Sequence, residues 1–105
     1  METIFLGSRK HVTADSIKLL EADVNYTIIY FKDGSKILVS TTIGTIQSRL
    51  PKDKFVRINR KEVLNRSLIS HYFVRPKYDE VKLEDCSSFK VSRRRKTEIR
   101  KILTE

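Results

Sequence analysis

The stretch Phe55-Val56-Arg57-Ile58-Asn59-Arg60-Lys61-Glu62-Val63-Leu64-Asn65 opens as a β-prone run with a cation interleaved. It then puts three polar side chains, Asn59, Arg60 and Lys61, where the strand should end. Cationic groups on such a tip bind anions, and an arginine there can span two acceptors on one guanine edge. A second stretch, Val91-Ser92-Arg93-Arg94-Arg95-Lys96, repeats the plan: an apolar residue, a serine able to cap a helix, then four consecutive cations opening a helical run. Cations at a helix N-terminus oppose the macrodipole, so this placement calls for an anionic partner.

Other chemistry is poorly supplied. With three glycines the chain has neither a phosphate-binding loop nor a dinucleotide fingerprint, and nucleophile elbows and histidine-rich metal motifs are missing too. His11 and His71 stand far apart with no ligand partners nearby in sequence, and the single Cys86 reads as a small residue near a turn. Glu80 and Glu84 fall on one face of a β-prone run and could in principle form a carboxylate pair. With Lys82 between them they read instead as a solvated strand face. The expectation is a non-enzyme without cofactor or metal.

The charge balance points the same way. The 105 residues hold 22 Lys and Arg against 13 Asp and Glu, a net charge of +9 and a pI near 9.9, which is the electrostatic footprint of a nucleic-acid partner. Hydrophobic residues make up 39%, enough for one modest folded core and unlike a disordered basic tail. No apolar stretch has signal-peptide or membrane-spanning length, so a soluble, cytoplasmic protein with no membrane partner is expected.

The elements that must carry these cations are mostly strands. Ile4-Phe5-Leu6, ending in a turn at Gly7-Ser8, and Lys10 to Ala14 read as two short strands. Ser16 to Ala22, Tyr26 to Phe31 and Ile37 to Val39 read as an antiparallel meander, joined by Asp23-Val24-Asn25-Tyr26 and by the Asp33-Gly34 hairpin signal. Ile43, Ile46 and Leu50 recur at helical spacing after capping hydroxyls and before Pro51, which gives one short helix. Leu68 to Arg75, Asp79 to Glu84 and Phe89 to Val91 read as further strands, and Ile99, Ile102 and Leu103 give the tail from Arg93 an apolar helical edge.

Taken in order, Asn25-Tyr26 before a β run, the Ser40 to Pro51 helix, the Phe55 to Asn65 block and the closing Val91-Ser92-Arg93-Arg94 resemble the LytTR DNA-binding domain of bacterial response regulators, over roughly residues 10 to 104. The resemblance implies a mostly β fold: an elongated sandwich of short antiparallel sheets with a small side helix and a C-terminal helix. It also implies sequence-specific binding of double-stranded DNA by a transcriptional regulator, with bases read in the major groove by loops and not by a recognition helix. The contact positions it carries over are Asn25, Tyr26, Asn59, Arg60, Lys61, Ser92, Arg93, Arg94 and Lys96, with Tyr26, Arg60 and Arg94 first. Asn59 stands where many members have histidine and Lys61 where they often have a small residue, so sequence preference is expected to differ. Family members usually follow a receiver domain, and the resemblance suggests paired sites on DNA with a weakly associating free domain. Here a single domain over residues 1 to 105 with no receiver domain is expected, either a free-standing regulator or a C-terminal domain whose receiver domain or sensor kinase acts upstream. The competing readings are an RNA-binding β module and a non-specific basic nucleic-acid-binding protein; Tyr26, Tyr30 and Phe31 form no recognised stacking signature for the former.

Overall fold

The architecture, a computed structural model describing residues 3–7 and 10–104, is a long body with principal extents of 43 × 27 × 22 Å built around a five-stranded antiparallel sheet. Two strands, β1 (Thr3–Gly7) and β2 (Lys10–Thr13), pair as a separate hairpin. The central sheet contains β3 (Ile17–Asp23), β4 (Tyr26–Phe31), β5 (Lys36–Val39), β6 (Phe55–Arg57) and β7 (Glu62–Asn65), in the order β5-β4-β3-β7-β6. A third sheet, in the order β10-β9-β8, comprises β8 (Ile69–Phe73), β9 (Asp79–Leu83) and β10 (Ser88–Val91). Two helices complete the fold, α1 (Ile43–Arg49) and α2 (Lys96–Thr104).

Period-two alternation makes the central sheet hydrophobic on both faces. Ile17, Leu20, Ile29, Phe55 and Val63 point to one side, where they meet Ile4 and Leu6 of the first hairpin and Ile43 and Ile46 of α1. Leu19, Val56, Ile58 and Leu64 point to the other, against Val81, Leu83, Val91 and Ile99. The central sheet is thus the middle layer of three. The adjacent residues Phe55 and Val56 are both buried because each serves a different core.

The expected elements form with several differences. The Asp33-Gly34 turn closes as its composition demands: Gly34 sits at φ +92°, and Asp33 Oδ1 accepts from the Ser35 backbone N–H at 2.8 Å. The expected turn after Leu6 reaches into Ser8, which lies outside the described residues, while Gly7 at φ +104° lies so close to Thr41 that a Cβ there would meet Thr41 Oγ1 at 2.5 Å. That hydroxyl does not cap α1; it donates to the Leu6 carbonyl at 2.7 Å and ties the first hairpin down. Glu62–Asn65 is a strand in its own right, pairing with both β3 and β6. The tail helix begins at Lys96, three residues after the expected Arg93, because Arg93 to Arg95 are taken up by a turn in which the Arg95 N–H donates to the Ser92 carbonyl at 3.0 Å. Glu80 is half-buried and paired with Arg75 at 3.2 Å, while Glu84 is exposed just past the strand end. Cys86 occupies the β9–β10 turn, exposed, at φ +72°.

Candidate nucleic-acid interface

The β6–β7 connection carries Asn59, Arg60 and Lys61, and its shape comes from one asparagine. Asn59 Oδ1 accepts from the Lys61 N–H at 2.8 Å, which turns the chain back on itself. Asn59 Nδ2 donates to Glu62 Oε1 at 2.9 Å and to the Lys90 carbonyl at 2.7 Å, so the same side chain fastens the loop to β10. Two backbone bonds finish the assembly: Ser92 N–H donates to the Ile58 carbonyl at 2.9 Å, and Ala22 N–H to the Lys61 carbonyl at 2.7 Å. Three segments distant in sequence, the β3–β4 turn, the 59–61 loop and the end of β10, are thereby held side by side.

Between them lies an open cleft of about 920 Å³, lined by Val24, Asn59, Arg60, Lys61, Lys90 and Ser92 among others. Of the positions expected from sequence, Asn59, Arg60, Lys61 and Ser92 meet at this cleft. Asn25 and Tyr26 are exposed on the hairpin that borders it, Tyr26 at 49%. Arg93 and Arg94 are exposed in the turn that follows Ser92, and Lys96 is half-buried at the first position of α2; none of these five lines the cleft. Ser92 Oγ is buried and makes no hydrogen bond among the described residues.

Arg57 was not among the expected positions, and it underlies the loop. Its Nε–H donates to the Asn59 carbonyl at 3.3 Å and its Nη2 to the Arg60 carbonyl at 2.7 Å, while its Nη1 approaches Gly44 of α1. Burial first, and then the nearby cations Arg95 and Arg60, push this guanidinium below the usual arginine range. It stays protonated at neutral pH, so three positive charges crowd one corner. The ion pairs among the described residues are Lys18–Asp85, Lys54–Asp15, Arg75–Glu80 and Arg100–Asp79, and none involves a cation of this cluster. The sequence signal for Arg57 is its place between buried Val56 and Ile58, on the same face as Phe55; Arg95 lies inside the Arg93 to Lys96 cation run.

The other end of that cation run is anchored differently. Asp79 is fully buried and accepts from Arg100 Nε at 2.5 Å, Arg100 Nη2 at 2.9 Å and the Tyr72 hydroxyl at 2.5 Å. The Arg100 hydrogen bonds hold the Asp79 carboxyl well below the usual carboxylate range, and burial pushes the Tyr72 phenol up. This pair docks α2 on the third sheet and so fixes where Arg93 to Lys96 stand.

Among the described residues no group of His, Cys, Asp and Glu side chains gathers as a metal site, and no helix is long and apolar enough to cross a membrane. A family model described as the LytTr DNA-binding domain matches residues 7–104. The fold is similar to that of a solved LytTr DNA-binding domain of a response regulator from Bacillus cereus, with 19% sequence identity, a TM-score of 0.80, and coverage of 99% of this chain and 96% of that one. No curated protein matches the sequence.

Proposed function

This chain belongs to the LytTr DNA-binding domain family, a family of transcriptional regulators, and on that premise we propose that it recognises a specific double-stranded DNA sequence through its loops. The observation that carries the proposal is the group of cations on adjoining segments, Arg57, Arg60 and Lys61 with Arg93 to Lys96, none of which is ion-paired with a carboxylate among the described residues. Phosphates would supply the missing charge, and counterions released from the duplex would drive association.

On this reading Arg60 and Arg94 enter adjoining stretches of the major groove and each spans the two acceptors of a guanine. Lys61, Arg93 and Lys96 bind phosphates, and Asn25 and Tyr26 touch the duplex from the neighbouring hairpin. Asn59, whose amide is already committed to the loop, and Ser92 act by positioning. Of the Tyr26, Tyr30 and Phe31 group, Tyr30 donates to Glu21 at 3.2 Å and Phe31 packs against the first core cluster, so these three do not form a stacking platform for a single strand, which favours a duplex. The protein then works in the cytoplasm, two copies occupy paired sites on DNA, and a receiver domain or sensor kinase sets its activity.

Selection from a random duplex library tests this. An enriched motif containing guanines supports the proposal; a pool that stays random after repeated rounds overturns it.

A further inference from the structure

The turn between β3 and β4 holds a residue that does not suit it. Asp23 pairs with Tyr26, so Val24 and Asn25 form a two-residue loop, and Val24 takes φ +52° at its first position. Tight hairpins place glycine, asparagine or aspartate at positive φ, because a β-branched side chain there crowds its own backbone. No burial compensates the strain: Val24 is 93% exposed, the most exposed of the large apolar side chains among the described residues. It stands at the cleft that Arg60 and Lys61 also line.

We propose that Val24 is a specificity-determining residue that packs its isopropyl group against the 5-methyl group of a thymine. The inference rests on the duplex-DNA reading above. In the major groove thymine alone among the four bases offers an apolar group, so its reader must be apolar and uncovered before binding. Val24 is both, and its branched Cβ holds χ1 to few rotamers, so little side-chain freedom is lost on contact. The bond from Ala22 N–H to the Lys61 carbonyl at 2.7 Å ties the stem of this hairpin to the loop bearing Arg60. A guanine reader and a thymine reader therefore approach the groove as one unit, and their bases should lie within a few pairs of each other.

The test takes the duplex selected by the wild-type chain and replaces each thymine in turn by 2′-deoxyuridine, which removes only the methyl group. Wild type should lose affinity about fourfold at one or two positions, the worth of one buried methyl-sized group. Val24→Gly and Val24→Asn should bind the thymine and uracil duplexes equally at those positions, and both should melt no lower than wild type because they accept positive φ. A flat uracil series with wild type, or the same fourfold loss in both variants, overturns the inference and leaves the DNA reading standing. Failure to select any duplex overturns both. A melting temperature lowered by about 5 °C or more in both variants also overturns it, because Val24 would then be kept for the fold.

Discussion

Two arginine stations in this protein use the same group in opposite ways. At Arg100 the guanidinium meets a fully buried carboxylate, Asp79, through two hydrogen bonds, and a phenol completes the site. At the 57–60–95 corner Arg57 feels the charges of Arg95 and Arg60, and among the described residues it hydrogen-bonds only to backbone carbonyls. The first arrangement closes its electrostatics inside the fold; the second leaves them open. Cation content alone, the signal that drew attention in the sequence, therefore says little until each cation's partner is known. The station with a partner stabilises, and the station without one is available to a polyanion.

The largest effects should come from the two apolar cores on either side of the central sheet, Phe55 in one and Ile58 in the other. Phe55→Ala and Ile58→Ala each remove a buried side chain, and each should cost roughly 2 to 5 kcal/mol in chemical denaturation. Near-normal stability in either variant would break the comparison at its base, since the loop would then not be held from below.

Asp79→Ala comes next, at roughly 2 to 4 kcal/mol of stability, because it strips a buried network of its acceptor. The same carboxyl gives a pH signature. Its folded pKa lies below the unfolded value of about 4, so its contribution is complete above that value and disappears as the solution is acidified through and below it. Denaturation midpoints followed from pH 6 to pH 2 should fall more steeply for wild type than for Asp79→Ala. Parallel curves would show that Arg100 is not using this carboxylate.

Much of this was legible in the sequence, and the boundary is physical. The Asp33-Gly34 turn and the helical spacing of Ile43, Ile46 and Leu50 are local signals, and the fold obeys both. The pairing of Glu62–Asn65 with β3 joins residues about forty positions apart, and no local pattern announces it. The proposed interface divides in the same way. Its cations could be named from their positions at strand ends, whereas the brace from Asn59 to Lys90 spans 31 residues and the tie from Asp79 to Arg100 spans 21. Arg57 is not marked in the sequence, because an arginine inside a strand normally reads as a solvated side chain and only the loop's conformation brings two carbonyls to it. The tail helix was begun three residues early because a serine before a helical run looks the same whether its hydroxyl caps the helix or is buried beside a strand end.

Smaller effects should separate the open station from the closed one. Arg60→Ala and Arg94→Ala should each cost on the order of 1 to 3 kcal/mol of specific binding, relax preference at one or two base pairs, and leave thermal melts nearly unchanged. Lys96→Ala should weaken selected and scrambled duplexes about equally. Equal proportional losses on both duplexes for Arg60→Ala and Arg94→Ala would remove direct base reading from these two residues. Asn59→Ala should cost about 1 kcal/mol of stability and lower affinity as well, because the loop loses three hydrogen bonds that shape it. A melt and a titration on the same sample check both halves.

The most direct test of the central claim is a titration of the wild-type protein with its selected duplex and a scrambled one across a range of salt concentrations. If the cations of the 57–61 and 93–96 segments bind phosphates and Arg60 and Arg94 read bases, log K for both duplexes should fall steeply with log salt, by about 0.9 for each phosphate neutralised, while the selected duplex stays tighter throughout. A nearly flat salt dependence, or one affinity for both duplexes, would contradict it.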